Sequence, residues 1–498
     1  MKKLILLLLL LIAMPVYGAE YAVRPPSACP NNGNGASWAC AASAGAAGAM
    51  NTIPSAIEHG STYYIGGGAY GRVSFGVISY SGEDYAYVKK ATTTAHGSEV
   101  LTNWNDTYAV QATFEQMNIE GHYIDLDGVT GSGTTGYGIK IEHPAADLEY
   151  NNDLASLWLY GSGSPYGVNY VTVQNIEVSM TSGTDCSVLD QAYLDGYEPS
   201  TYTIKGARGT FEGIQIKNNY IHGGSTNIQM GAWTQSSITG NYFGQNCSRA
   251  WSHGQQISPT GGSSYITLAN NEFHDSETYI VGAHNNGVPG APNQGNSYWY
   301  IYNNISIGGT QSYQAAESQE YDCLMSSQIH HNTFIDGACA PEGCIDSGAQ
   351  QNLSTTKSYA YNNLFYNMTQ VRIGQDCGVE IYDDLPFSTP GCTVHDNNAF
   401  LYSSGYVTTI EDELAEQVDA EAPSTIFTDY DEGDYTINAA DQTVIDHIID
   451  KGKTDLGLLY KDDRAGNERD ASPDIGAYEY VGAADTVAPA SPTGLSVT

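Results

Sequence analysis

Positive charge is scarce in this chain: 18 Lys and Arg stand against 55 Asp and Glu, a formal charge of −37. The averaged field repels polyanions and draws in cations, which argues against nucleic acid as a partner. It also weighs against a dedicated binder of polyuronates or sulfated glycans, unless divalent cations or a local basic cluster bridge the contact. No stretch beyond the N-terminus approaches 18 unbroken apolar residues, so there is no transmembrane segment to assign. The nine cysteines include no Cys-x-x-Cys pair, which removes thiolate metal ligation and c-type haem attachment. Apolar residues spaced three and four apart are missing as well, and with them long helices and coiled coils. What remains is abundant: 55 Gly and 38 Tyr in a chain only 15% charged describe a folded, turn-rich polypeptide.

Lys2 and Lys3, an apolar run over residues 4–13 and small residues at Val16 and Gly18 read as a Sec signal peptide over 1–18. The mature chain is then secreted to the extracellular space or cell surface, where cysteines form disulfides. Cys29 with Cys40, and Cys377 with Cys392, bracket Gly/Pro-rich loops and are the preferred pairs; Cys186 with Cys247 is a longer pairing. Cys323, Cys339 and Cys344 compete for one another.

Between residues 170 and 403 a short pattern recurs eight times: an apolar residue, a polar turn with Asn, then an apolar pair, as in Ile216-Lys-Asn-Asn-Tyr-Ile221 and Ile238-Thr-Gly-Asn-Tyr-Phe243. Its common asparagines are Asn175, Asn219, Asn241, Asn271, Asn304, Asn332, Asn363 and Asn397. Each unit alternates apolar and polar residues over four to six positions, which is strand periodicity, and turns on residues that accept the left-handed conformation. Two short strands meeting at an Asn corner suit a solenoid whose coils stack at about 4.8 Å, with the asparagines as a ladder down one edge. In that phase Ile228, Ile257, Ile280, Ile345 and Ile373 form an interior column on a further strand. Their neighbours Gln229, Gln256, Tyr279, Asp346 and Arg372 face out.

The N-terminal run Gly35-Ala-Ser-Trp38, with Ile53-Pro-Ser-Ala-Ile57 and Tyr64-Ile-Gly-Gly-Gly-Ala-Tyr70, together with Asp463-Arg464 and Pro473-Asp-Ile-Gly-Ala-Tyr-Glu479 near the other end, resembles the secreted right-handed parallel β-helix family, the pectate-lyase-like superfold of bacterial surface proteins. The resemblance covers about residues 20–481. It implies an all-β, single-stranded right-handed parallel β-helix over 19–482, an N-terminal capping helix, and a final strand carrying Asp-Ile-Gly-Ala-Tyr-Glu. Residues 483–498 read as an Ala/Thr/Pro/Ser linker or tail, a place for a surface or matrix partner.

Enzymes of that family cleave acidic polysaccharides by β-elimination, with Arg or Lys as base and often Ca²⁺, or hydrolyse glycosides with paired carboxylates. The resemblance thus implies a polysaccharide or surface-glycan partner; the alternative is a non-catalytic, adhesin-like surface or matrix protein. The candidate catalytic cluster is Arg372 with Asp346 one coil earlier and Asp376 at the end of its own strand, a cation and two carboxylates on one face. A second is the loop Arg249-Ala-Trp-Ser-His253, where His253 would act as base and Arg249 and Trp251 as sugar contacts, joined by Gln256 and Tyr279. His222 and His274 fall two coils apart, about 10 Å between backbones, too wide to share a metal. Calcium is a candidate cofactor on composition alone, with Asp383-Asp384, or Asp429, Asp431, Glu432 and Asp434, as its ligands.

Overall fold

The computed structural model describes residues 18–77, 84–99, 101–144, 153–160, 166–180, 200–247, 254–259, 262–283, 296–310, 313–315, 324–325, 327–338, 345–346, 358–369, 393–401, 426–440, 442–454, 456 and 460–480. The chain winds as a right-handed parallel β-helix. Each circuit lays down a strand on each of three strips, and among the described residues every strand pair is parallel except the hairpin Phe427–Asp429 with Asp434–Ile437. Strip one stacks, among others, Asp153–Leu159, Gln255–Pro259 and Tyr279–Ala283. Strip two carries the strand that enters the Asn corner, such as Gln215–Lys217, and strip three the strand that leaves it, such as Tyr220–His222. Among the described residues strips one and two merge into one 23-stranded sheet because Thr226–Thr239 runs through the corner between them, with Gln235 left-handed; strip three is a separate sheet of 11 strands.

Alternation along each short strand puts every second side chain inside, and parallel register turns those into columns. Strip two stacks Leu126, Val173, Ile216, Ile238, Leu268, Ile301 and Ile329. Strip three stacks Val178, Ile221, Phe243 and Phe273, then, past Ser306, Phe334, Phe365 and Phe400. Consecutive phenylalanines lie 4.6–5.0 Å apart and near parallel, the offset stacking that one coil spacing imposes.

The corner between strips two and three uses two consecutive residues for two jobs. The first is left-handed: Asn175, Asn218, Gly240, Asn270, Asn303, His331, Asn362 and Asn397 have φ between 52° and 66°. The second carries the ladder. Asn219, Asn241, Asn271, Asn304, Asn332 and Asn363 each donate both backbone N–H and Nδ2 to the Oδ1 of the next, ending on Asn398, at 2.9–3.1 Å. All seven are buried. Two expected members therefore sit one position off. Asn397 takes the left-handed place and Asn398 the ladder place; Asn175 is also left-handed, its Nδ2 donating to Asp127 at 2.8 Å, while Ile176 occupies the rung. Adjacent asparagines are chemically equivalent in one dimension, and only the strand register separates their roles.

Register also shifts the strip-one column. Ile228 stacks on Ile257, which stacks on Val281, not Ile280, and the backbone column continues through Tyr313 to Ile345; Ile373 lies outside the described residues.

Residues 18–77, all described, contain no helix where the N-terminal capping helix was expected. The Ala/Ser/Gly-rich stretch after Trp38 forms turns, with Gly45 and Gly48 at positive φ, and a Cβ on Gly48 would strike the backbone of Ala41 at 2.5 Å. The Cys29–Cys40 disulfide forms as expected. Trp38 is buried against Trp104 and Tyr108 at that end. Cys247 is also disulfide-bonded, to a partner outside the described residues.

At the other end, residues 426–480 double back across the outer face of strip three. Ile426, Phe427, Tyr435, Ile437, Val444, Ile448, Ile475 and Ala477 bury the outward Ile305, Ile335, Leu364, Tyr366, Ala399 and Leu401. The expected final strand is not one: residues 471–480 form bends, and Gln442–His447 is a short α-helix. Gly476 (φ +103°) lets the chain pass where a Cβ would meet Thr333 Oγ1 at 3.0 Å. Beside it Arg469 pairs with Glu479 at 3.0 Å and reaches Asn303 and the Gly476 carbonyl.

Candidate functional site

Two outward columns run the length of strip three. The first reads Lys140, Glu177, Tyr220, Tyr242, Glu272 and then Ile305; the second Glu142, Ser179, His222, Gly244, His274 and then Ile307. The C-terminal segment covers the columns from Ile305 onward. Before that point they form a groove of charged and aromatic groups, with Tyr137 stacked on Tyr220 at one end and Arg464 at the other.

The groove contains two similar units. In one, His222 stacks on Tyr220 (centroids 4.0 Å) and its Nε2 lies 3.5 Å from Glu177 Oε1. In the other, His274 stacks on Tyr242 (4.5 Å) and its Nε2 is 2.8 Å from Glu272 Oε1. Tyr220 and Tyr242 meet edge to face between them. Gly244 is buried at the centre of the second column, where a Cβ would lie 2.9 Å from His222 and 3.2 Å from Tyr220, so His222 and Tyr220 fill the space a side chain would take. Each unit has its own cation: Lys140 Nζ is 3.1 Å from both Glu142 and Glu177, and Arg464 is 3.0 Å from Glu272.

Burial pushes the carboxyls of Glu177 and Glu272 up, but the neighbouring His222 and Lys140, and His274 and Arg464, outweigh it and hold both below the usual carboxylate range. Burial, then the charge of the adjacent glutamate, raises the phenols of Tyr220 and Tyr242. At neutral pH the groove thus offers anionic acceptors, neutral phenols and, at Tyr242 and His274, partly exposed rings.

His222 and His274 face out, each paired with a glutamate. The groove itself was not expected. Its signal is the residue following each ladder asparagine, which reads Tyr220, Tyr242 and Glu272 before turning to Ile305.

On strip one, Gln256, expected to face out toward a substrate, is fully buried. It accepts from Asn227 at 2.6 Å and donates to the carbonyls of Gly244 and His274, continuing a second interior polar row through Thr203 and Asn227. The reason is the tight turn from strip three, where two successive residues point inward and the turn's carbonyls need donors. Tyr279 is half-buried in register with Gln255, and Asp346 lies in register with Gln314. Arg372, Asp376, His253, Arg249 and Trp251 lie outside the described residues, as do Cys377, Cys392 and Asp383-Asp384. One further group on strip one was missed: Lys205, 5% exposed, places Nζ over the rings of Tyr202 (4.3 Å) and Trp158 (5.2 Å).

Among the described residues no three His, Cys, Asp or Glu converge as a metal site. Asp434, one of the expected calcium ligands, accepts from the backbone and hydroxyl of Thr436.

No protein-family model matches the chain, and no curated protein is similar to it. Among solved structures it is similar to pectate lyase Pel9A, with 11% identity over 93% of this chain and 96% of that one and a TM-score of 0.48. It is also similar to XylC in complex with xylose (11%, 92% and 98%, 0.38). A third is a mannuronic acid specific polysaccharide family 6 lyase from human gut microbiota (11%, 77% and 74%, 0.34). The fold stated above rests on the strand register of the chain itself.

Proposed function

We propose that this is an exported β-helix protein that engages carbohydrate in the strip-three groove. The observation that carries it is the pair of tyrosine–histidine stacks, each with an ionised glutamate at its edge. Rings with a polar rim bury the apolar face of a sugar while carboxylates take its hydroxyl donors. The Cys29–Cys40 disulfide supports export, since such bonds persist in oxidising compartments. Paired-carboxylate hydrolysis is disfavoured at this groove, because one carboxyl must stay protonated to serve as acid and neither Glu177 nor Glu272 is raised. Retention of the protein on immobilised plant, algal and bacterial polysaccharides tests the reading. Tyr242→Ala should reduce retention about tenfold, and absence of binding to every glycan would reject it.

A second reading, polysaccharide cleavage, is favoured by Lys205 alone, a buried amine on strip one flanked by Tyr202 and Trp158. Unsaturated-uronate absorbance and reducing-end release should then appear with wild type and vanish in Lys205→Met; no turnover removes this reading and leaves binding intact.

A further inference from the structure

Glu142, Ser179 and His222 occupy successive rungs of one outward column. Glu142 Oε1, Ser179 Oγ and His222 Nδ1 are buried without a hydrogen-bond partner, and His222 Nε2 has only the 3.5 Å approach of Glu177 Oε1. His222 is only 6% exposed. Native interiors satisfy nearly all such atoms with protein or ordered water, so three in one row, about 4.8 Å apart, mark groups that a ligand would complete.

The chemistry of the row restricts that ligand. A carboxylate oxygen only accepts, whereas a hydroxyl and an imidazole both donate and accept. A sugar hydroxyl does both, directly or through a bridging water, and so complements every member. A sugar carboxylate does not, because it would add a fourth acceptor to a region already rich in them.

Charge points the same way. Glu142, Glu177 and Glu272 face two cations, and both cations are engaged: Lys140 by Glu142 and Glu177, Arg464 by Glu272 and by the Asn271 carbonyl at 2.7 Å. A uronate entering this half-buried groove meets like charge at low dielectric. The net charge of −37 supplies no compensating long-range field.

Resting on the carbohydrate reading above, we infer that the groove selects uncharged, hydroxyl-rich saccharides and rejects uronates. Titration calorimetry of the full chain with neutral xylo-, cello- and manno-oligosaccharides, against oligogalacturonate and oligomannuronate of equal length, tests this. At least one neutral series should bind at least about tenfold tighter than either uronate. Its Kd should change less than about twofold from low to high salt, since no ion pair forms with the ligand. His222→Phe keeps the ring stack but removes the nitrogens and should weaken binding about tenfold; Glu142→Gln, at a side chain about a quarter exposed, should do the same and serves if the first variant does not fold. Uronates binding as well as neutral sugars, or both variants binding like wild type, overturns the inference while the carbohydrate reading stands; silence from every series overturns both.

Discussion

The two halves of strip three share backbone, register and the asparagine ladder, yet they differ in the character of their outward residues. From Lys140 to His274 the outer face carries Lys, Glu, Tyr and His and stays partly open; from Ile305 to Leu401 it is mostly aliphatic and is sealed by residues 426–480. In a β-helix the inward residues hold the coils together, so the outward ones are free to make either a site or an interface. Here both occur on one sheet, meeting at Glu272, whose partner Arg464 belongs to the covering segment.

The largest expected effect is on the sealed half. Arg469→Met leaves Glu479 and Asp463 buried without their cation and should cost about 3–5 kcal/mol of that half's stability. Limited proteolysis and hydrogen exchange should report opening of residues 426–480 with the strip-three groove still protected; uniform loss of protection would show the halves to be one cooperative unit.

A ladder change comes next and should affect both halves. Asn304→Ala removes two donors' acceptor and two donated bonds, and about 2–3 kcal/mol should be lost in urea denaturation. By contrast Asn270→Gly, at the neighbouring left-handed position, should stay within about 0.5 kcal/mol. Equal costs for the two would contradict the division of roles at the corner.

Smaller shifts should follow pH, with opposite sign in the two halves. Burial, then the charge of Glu479, pushes the Asp474 carboxyl up to about 7. Folding then binds a proton that the unfolded chain has released, so the sealed half is firmest below about pH 4 and loosens as pH rises toward 7. Glu177 and Glu272 are held low, so their contribution is present above the ordinary glutamate range and is lost as pH falls through it and below. Residue-resolved exchange at about pH 4 and 7 should show the two trends crossing; parallel trends would sink this account.

The smallest effect lies away from strip three. Tyr123, Tyr170, Tyr265 and Tyr298 share one corner column between strips one and two, all at φ 55–57°, and Tyr265 stacks on Tyr298 at 4.8 Å. Tyr265→Ala loses that stack on an exposed corner and should cost at most about 1 kcal/mol by thermal denaturation.

Much of the architecture was legible from single strands. Ile216, Ile238 and Leu268 announce the interior of strip two because a period of two needs no knowledge of neighbours, and the Asn-containing turn announces the corner because few residues accept its backbone. The site was less legible. Gln256 looked outward-facing by alternation, and the turn before it breaks alternation. The Glu177–His222 and Glu272–His274 pairs each join residues from adjacent positions or adjacent coils, and nothing in the linear spacing of 45 residues between 177 and 222 brings them together without the register.

What the amino-acid order by itself determined is therefore local: strand length, corner chemistry, the Cys29–Cys40 loop and the stacking of coils into a parallel β-helix. Which asparagine of an adjacent pair becomes a rung, which outward residues converge into a groove and which disappear beneath the C-terminal segment were decided only by tertiary structure. Those outcomes depend on the vertical alignment of coils whose lengths vary, and a shift of one residue exchanges inside for outside.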